Sequence, residues 1–535
     1  MKKLLPYFCG LILILAATLL ILPFSRPGFF ATDDGEWAIV RLAEMVRELK
    51  DLQIPPRWSD YLNHGYGYPL FSFTYPLPFY LGSLIRLTGA DFTEIIKLLF
   101  VLSVFMSGYF MFLLAAKIKG NWAGMMAAFF YMTVPYRLTD LYVRGSLGES
   151  LALSLFPLIF YLTLVYREKT GLKRGVLLSL SLASLLLTHN VLSLLFSPFW
   201  FLWLITVFKD VKSVLPNKLK LILFPVILSF ALAAFFIVPA LHERKYILLS
   251  IMPLADKSSH FLSLGEIFMA TPRVGLPSFG LTAQQTSVLI LSVILLIKNR
   301  AKIQSAVFFL LSVPLTVFLL HSSSRLVWQL PLLSSIDFPW RMGGILCFIV
   351  ALASVFLFYK KQAVYAGSLL ILIGFMSILP LTGINNPINK SDDYYLTNDA
   401  TTTSADELMP VYVSRKPENR YLRKAEIVTG DAEISDLNYN SRKAKFTIQA
   451  VTPGTVRLNT IFFPGWQLAD NGKPMTFRYN NDFGIIEADF GHGRHQIEAN
   501  FTETPVRFAA DIVSLSALFY CVYIFIRKKH DDSIN

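Results

Sequence analysis

The sequence has little charge, few cysteines and none of the short motifs of common soluble enzymes. Charged residues make up 16% of the 535 residues, against roughly 25% in soluble domains, which argues against a water-soluble fold. Cys9, Cys347 and Cys521 each stand in an apolar run, so we expect small core residues rather than a disulfide or metal set. No Walker loop, dinucleotide fingerprint, HExxH or GxSxG with its partners occurs, so nucleotide hydrolysis and serine or zinc hydrolysis have no sequence support.

Basic residues outnumber acidic ones among the charged residues, and the formal net charge is +13. The Lys and Arg residues stand mostly in short clusters between apolar stretches, as the orientation signals of membrane proteins do. We therefore expect a membrane protein and no nucleic-acid partner.

Apolar runs long enough to cross a bilayer recur along the chain, and 54% of the residues are hydrophobic. A spanning helix needs about 20 apolar residues. The N-terminal run lacks a small-residue cleavage site after it, so we interpret it as a retained first helix. The sequence predicts about twelve spans, at 4–23, 93–116, 121–137, 148–166, 173–188, 191–208, 219–240, 284–297, 303–320, 342–359, 363–383 and 507–526.

Alternating these spans places the basic clusters MKK, KIKGN, REKTGLKR, KDVKSVLPNKLK, KNRAK, YKKQ and RKKH on one face. The positive-inside rule makes that face cytoplasmic, which places both termini in the cytoplasm. This arrangement requires Pro69–Leu87 to lie along the outer surface. Its central prolines and its aromatic residues favour an interfacial helix.

The large outer region near the C-terminus reads as a folded domain. From Ala425 to Thr504, apolar and polar residues alternate and the turns carry NG, PG and GHG, which predicts a small antiparallel β-sandwich. The predicted organisation is a transmembrane domain at 1–383, a linker at 384–423, a β-sandwich at 424–505, and a last span with a basic tail at 506–535.

Asp33 and Asp34 follow the first span and precede a short amphipathic run. Acidic residues so close to a membrane are costly unless they are used or paired. One of them is a candidate general base, because deprotonating a hydroxyl needs a carboxylate held close to it. The alternative is an N-cap for the following helix.

An aromatic loop follows in the same outer region. Trp58, His64 and Tyr66 stand among glycines and prolines, so they are candidates to stack on a sugar or to contact a lipid head group. For any single aromatic residue, an interfacial belt is the simpler interpretation.

The second outer loop carries Arg137, Asp140, Arg144 and Glu149 in RLTDLYVRGSLGES. Two arginines there are suited to a phosphate or pyrophosphate, because a guanidinium presents paired donors to paired oxygens. Ion pairing of Arg144 with Glu149 or Asp140 is an equal alternative.

Three further outer span ends carry polar residues. His189 and Asn190 stand at a tight turn as candidate substrate contacts, although a lone His is more often structural. Arg325 and Arg341 are candidate phosphate contacts, and Asp337 is a second acid or an N-cap. Their convergence on one face predicts a substrate site.

The segments DGEWAIVRLAEM, PPRW, GYGYPLFSF, RGSLGE and LTHN, and FFPGWQLADNGKP followed by GHGRHQIEANF, carry a family resemblance. With the acidic motif after the first span, they resemble the GT-C superfamily of polyprenyl-phosphate-sugar-dependent glycosyltransferases. The closer similarity is to bacterial YfhO-like and 6-pyruvoyl-tetrahydropterin-synthase-related membrane proteins. The chain differs in having Asp33 where such relatives often carry His, and DNGK in place of DGK.

The resemblance implies a GT-C-like helical membrane fold in a bacterial inner (plasma) membrane, with Asp34, or Asp33 beside it, as the carboxylate of an inverting sugar transfer. The expected partners are a polyprenyl-phosphate sugar donor, membrane lipid and an extracytoplasmic acceptor. From the residues, a divalent metal such as Mg or Mn on Asp33, Asp34 and Glu149 stays open. The alternatives are a flippase or transporter of a lipid-linked intermediate, and an envelope assembly protein.

Overall fold

The computed structural model describes residues 5–208, 215–253, 255–271, 276–298, 303–358 and 387–527. Helices dominate the part before residue 358, and strands dominate 425–501. The α-helices are α1 (Leu5–Ile21), α2 (Gly35–Lys50), α3 (Leu70–Phe73), α4 (Leu77–Arg86), α5 (Phe92–Lys119), α6 (Asn121–Met132), α7 (Pro135–Thr139), α8 (Leu147–Glu168), α9 (Leu172–Thr188), α10 (Asn190–Phe208), α11 (Leu215–Glu243), α12 (Leu264–Phe268), α13 (Ala283–Lys298), α14 (Ile303–Leu320), α15 (Met342–Ala353), α16 (Asp392–Thr397) and α17 (Pro505–Ile526).

Long apolar helices make this a multi-pass membrane protein. Among the described residues, six helical stretches are long and apolar enough to cross a bilayer: Phe92–Lys119, Leu147–Glu168, Asn190–Phe208, Leu219–Tyr246, Pro339–Leu357 and Pro505–Ile526. Three shorter apolar helices are Gly10–Ser25, Ala283–Lys298 and Val307–Leu320. The predicted helical membrane class is thereby confirmed.

The twelve-span arrangement itself stays a prediction. The predicted span 363–383 lies outside the described residues. The predicted span 121–137 is helical only to Met132, because Val134 is extended ahead of Pro135, as the residue before a proline generally is.

The segment 69–87 forms two short helices, α3 and α4, separated by Thr74, Tyr75 and Pro76. The longer, α4, has 10 residues, and at 1.5 Å per residue it extends only about 15 Å. That is half the thickness of a bilayer core, which is consistent with the predicted position along the outer surface.

The helical bundle is packed around the stretch Pro339–Leu357, whose apolar window is 94% buried, whereas that of Pro505–Ile526 is 28% buried. Phe348 of α15 contacts Phe156 and Phe196 edge-on, and those two rings stack on each other at 4.0 Å. The last helix, α17, therefore packs at the periphery of the bundle. Cys347 on α15 and Cys521 on α17 are buried free thiols.

The C-terminal β-sheet region consists of two antiparallel sheets. Its strands are β3 (Ala425–Thr429), β4 (Ala432–Asn440), β5 (Lys443–Ala450), β6 (Gly454–Ile461), β7 (Trp466–Asp470), β8 (Lys473–Met475), β9 (Ile485–Phe490) and β10 (Gly493–Phe501). The five-stranded sheet has the order β4-β5-β10-β7-β8, and the three-stranded sheet has the order β3-β6-β9.

The turn between β7 and β8 explains the register of that hairpin. Asp470 pairs with Lys473, so Asn471 and Gly472 alone form the loop. Both have positive φ, 49° and 76°, as a type I′ turn requires. The NG signal in the sequence therefore marks a real hairpin.

The β-sheet region packs against the segment that precedes α3 (Leu70–Phe73). The Trp58 ring lies among Phe463, Trp466 and Phe501 at centroid distances of 5.5–6.3 Å. In a separate two-stranded sheet, β1 (Phe29–Phe30) pairs antiparallel with β2 (Pro387–Ile388).

Candidate active site

Asp34 lies at the N-cap position of α2, but its side chain makes no capping hydrogen bond. The hydroxyl oxygen of Thr32 instead accepts from the N–H of Gly35 at 3.1 Å. Asp33 is exposed and Asp34 is half-buried. Asp34 therefore occupies the N-cap position, as the alternative interpretation expects, but its carboxylate does not cap the helix. The carboxylate can interact with other groups.

The loop that carries Asp34 is joined through its backbone to the second outer loop. The N–H groups of Asp33 and Asp34 donate to the carbonyl oxygens of Val143 and Arg144 at 3.1 and 2.7 Å. Gly145 follows with φ of +63°, and a Cβ there would lie 2.3 Å from the Thr32 hydroxyl. Such close approach excludes any side chain at this position.

Glu149, in the first turn of α8, is the centre of a buried polar cluster. One of its oxygens accepts from the Tyr136 hydroxyl at 2.7 Å and lies 2.9 Å from Nη1 of Arg144. Its other oxygen accepts from Nε of Arg341 at 2.9 Å. The Glu149 side chain is fully buried, and that of Arg341 is 17% exposed.

Arg144 bridges two carboxylates, because its Nη1 also lies 2.7 Å from Asp140. The stretch Asp140–Arg144 is a π-helical turn, a rare backbone form that recurs at functional sites. The Trp340 ring lies 4.5 Å from the guanidinium carbon of Arg144 and 5.5 Å from that of Arg341. The ion pairing that is one alternative from the sequence is thus present, and the Trp340 ring lies close to both guanidinium groups.

His189 completes the cluster from the turn between α9 and α10. Its Nδ1 accepts from the N–H of Leu192 at 3.1 Å, which assigns the ring proton to Nε2. Nε2 lies 3.6 Å from Glu149. The side-chain oxygen of the neighbouring Asn190 accepts a hydrogen bond from the N–H of Val191 at 3.0 Å.

The electrostatic surroundings of Asp34 include this cluster. Burial raises the pKa of Asp34, and the guanidinium groups of Arg144 and Arg41 oppose that rise. Loss of hydration disfavours the charged form of a carboxyl, whereas nearby positive charge favours it. Asp34 therefore has the higher proton affinity that a general base needs.

The aromatic loop lies elsewhere, against the β-sheet region and the segment that precedes it. Trp58 is fully buried there. The His64 Nδ1 lies 3.3 Å from Asp399, and Tyr66 contacts the ring of Tyr421 edge-on at 5.3 Å. These three predicted substrate contacts are not brought into the cluster of Glu149.

The remaining predicted residues are dispersed. Arg137 is fully buried and donates to the Ser107 hydroxyl, and its Nε and Nη1 have no hydrogen-bond partner among the described residues. Asp337 is buried just before the turn that carries Arg341. Arg325 is exposed.

Sequence reasoning missed four residues of the site. Arg41, on the second turn of α2, influences Asp34 electrostatically, as it does Tyr75. The Tyr75 ring lies 5.3 Å from that of His189. Together with Tyr136 and Trp340, these residues stand in apolar or amphipathic runs where a packing role is the default interpretation.

The segment 387–423 contacts α2 at several points. Lys390 lies 3.0 Å from Glu36, two residues beyond Asp34. Arg41 donates from Nε to the Thr402 hydroxyl at 3.2 Å. These contacts fix the orientation of α2 and so of its N-terminal end.

No fit for a metal ion emerges from the carboxylates. Across the described ranges, no group of three or more His, Cys, Asp or Glu side chains is arranged to hold one. The set Asp33, Asp34 and Glu149, considered from sequence, is not such a group.

No family model matches the chain. An uncharacterized protein of Lactococcus lactis subsp. cremoris (strain MG1363) is 28% identical over 243 residues, which is 44% of this chain and 39% of that protein. The match thus spans well under two thirds of the relative.

Three solved structures are similar at low identity. The arabinofuranosyltransferase AftD from Mycobacteria has a TM-score of 0.45 and 18% identity over 70% of this chain and 27% of its own. The Archaeoglobus fulgidus oligosaccharyltransferase in the apo form has a TM-score of 0.40 and 12% identity, over 74% of this chain and 56% of its own. The archaeal oligosaccharyltransferase AglB from the same organism, in complex with an inhibitory peptide and a dolichol-phosphate, has a TM-score of 0.38 and 13% identity. The match covers 74% of this chain and 56% of its own.

Proposed function

We propose that the protein is a GT-C-type glycosyltransferase that moves a sugar from a polyprenyl-phosphate carrier to an acceptor on the outer side of a bacterial plasma membrane. The observation that carries the proposal is the position of Asp34. Its carboxylate makes no capping bond, is half-buried, and lies in the electrostatic field of Arg144, Arg41 and Arg341. A base beside a group of cations is what transfer from a phosphate leaving group requires.

The proposed reaction is a single displacement with inversion. Asp34 accepts the proton of the acceptor hydroxyl as that oxygen forms a bond to the anomeric carbon. The bond between this carbon and the carrier phosphate oxygen breaks, and its electron pair leaves with the phosphate. Because a phosphate is a stable anion, its departure needs no proton donor, and one carboxylate suffices.

In this mechanism the arginines bind the carrier phosphate. Arg341 uses Nε for Glu149, which leaves its two terminal nitrogens as donors, and its side chain is the more exposed of the pair. Paired guanidinium donors match paired phosphate oxygens. Glu149 is a positioning residue, because it holds Arg144 and Arg341 by ion pairs of 2.9 Å.

The role of His189 in the proposal is to orient the sugar. Its ring is fixed by the bond from Leu192 to Nδ1, and the ring of Tyr75 lies beside it. A rigid imidazole and a phenol ring next to a binding site offer a donor and a stacking surface to a sugar.

A matched pair of variants tests the assignment of the base. Asp34→Asn and Asp33→Asn remove the same charge from adjacent positions, of which Asp33 is exposed and Asp34 is half-buried. We expect donor-dependent transfer in proteoliposomes to fall roughly 100- to 10,000-fold in Asp34→Asn and to persist in Asp33→Asn. Full activity of Asp34→Asn would exclude it as the base.

A further inference from the structure

A cavity lies at the end of the bundle opposite to Asp34. Its volume is about 390 Å³, and it opens between the C-terminal ends of α5, α8 and α10 and the helices α14 and α15. On α8, Glu149 and the cavity residue Glu168 are separated by about 28 Å at 1.5 Å per residue. The cavity is therefore separate from the proposed transfer site. It is lined by Lys117, Ile118, Lys119, Leu164, Arg167, Glu168, Trp203, Thr206, Val207, Phe309, Leu352, Val355 and Phe356.

One side of the cavity is basic. Lys117, Lys119 and Arg167 line it together with a single carboxylate, that of Glu168. Lys117 lies 2.7 Å from Glu168, and the lining contains three basic side chains and one carboxylate. An anionic group is the complement of such a wall.

The other side is apolar. Trp203, Phe309 and Phe356 are all less than 10% exposed. The indole N–H of Trp203 donates to the carbonyl oxygen of Phe160 at 3.4 Å, and the Thr206 hydroxyl donates to that of Trp203 at 2.8 Å. The polar atoms of this wall are thus satisfied within the protein, and hydrocarbon is the complement of what remains.

A cavity with one basic wall and one apolar wall complements an amphiphile that has an anionic head group and a hydrocarbon chain. Lys117 and Lys119 end α5, and Arg167 stands in the last turn of α8, where long basic side chains reach the head-group level. Basic pockets between spans at that depth bind anionic lipid head groups. We propose that this cavity binds the phosphate of an anionic phospholipid, with the start of an acyl chain against Trp203 and Phe356.

The test uses the full chain in detergent and does not depend on transfer activity. Phosphatidylglycerol is compared with phosphatidylcholine and with inorganic phosphate, and Tm is measured for wild type, for the double variant Lys119→Gln/Arg167→Gln, and for Lys169→Gln. Lys169 is exposed, two residues beyond Arg167, and does not line the cavity. We expect phosphatidylglycerol alone to raise Tm, and most of that shift to be lost in the double variant and kept in Lys169→Gln.

An independent readout follows the acyl chain. Phosphatidylglycerol brominated near the carbonyl end of its chains should quench tryptophan fluorescence in wild type more than in Trp203→Phe, because the Trp203 ring lines the cavity. Equal quenching in both proteins would overturn the proposal. So would an equal Tm shift in the double variant and Lys169→Gln, or a shift that inorganic phosphate reproduces in full.

Discussion

The backbone N–H of Asp34 donates to the carbonyl oxygen of Arg144 at 2.7 Å. This bond joins two loops that are more than 100 residues apart in the sequence, and it brings the proposed base and a proposed phosphate-binding arginine to the same place. The carboxylate and the guanidinium are therefore positioned by one backbone contact, and a change that separates the loops should affect both.

The pH dependence of transfer should respond to Arg41. Asp34 acts as a base only when ionised, so kcat/KM falls as the pH falls through its pKa. Burial raises that pKa and Arg41 is among the cations that lower it, so Arg41→Gln should move the acid limb of the pH profile to higher pH. Arg41→Lys keeps the charge and should leave the limb in place. Coincident acid limbs for the two variants would show that Arg41 does not act on Asp34.

The contact between the two loops should not tolerate a side chain at Gly145. A Cβ there would lie 2.3 Å from the Thr32 hydroxyl, in addition to the strain of a φ of +63°. Gly89 is the control, because it has φ of +87° and nothing within 4 Å of a Cβ. We expect Gly89→Ala to lower the stability by about 1 kcal/mol through backbone strain, and Gly145→Ala to lower Tm further and to abolish transfer. Equal effects of the two substitutions would contradict the close packing of the loops.

A buried carboxyl on α2 should make the stability depend on pH. Glu44 is 2% exposed, and burial raises its pKa to about 8. The folded protein then keeps a proton that the unfolded chain releases near pH 4.5, so this contribution to stability is lost as the pH rises from 4.5 to 8. A tenfold change in proton affinity is about 1.4 kcal/mol, so Glu44→Gln should stabilise the protein by at least ~1 kcal/mol at pH 8.

The comparison for Glu44 is made by Tm at pH 5 and pH 8 in one detergent. Wild type should lose more Tm than Glu44→Gln between the two values. Glu498→Gln, which changes an exposed carboxylate on β10, should behave as wild type does. A wild-type Tm that rises between pH 5 and pH 8 as much as that of Glu44→Gln would contradict the prediction.

Several features of the site follow from the sequence because they depend on local patterns. Asp34 precedes an amphipathic run and Glu149 stands at the start of an apolar one, so the sequence predicts both at the ends of helices. The structure places Arg144, His189 and Arg341 around Glu149, and the sequence predicts all of these as charged or polar groups at span ends. The physical reason is that a bilayer confines such groups to a narrow range of depth.

The parts that could not be predicted depend on contacts between distant segments. Trp58 looked available to a sugar, but its ring packs against Phe463 and Trp466, and no local pattern tells which aromatic loop docks on a sheet. Arg41 has the spacing of an ordinary surface residue on an amphipathic helix. Arg41 shares α2 with Asp34, but its guanidinium is held by the Thr402 hydroxyl, 361 residues away.

The most direct test of the account is donor-dependent transfer by the wild-type protein in proteoliposomes, with a panel of radiolabelled polyprenyl-phosphate sugars and acceptors from membrane extracts. The account predicts that label moves from at least one of these donors to an acceptor and that free polyprenyl phosphate appears in equal amount. If no donor supports transfer, while labelled lipid binds and crosses the bilayer, the protein moves lipid-linked intermediates and the enzyme assignment is wrong.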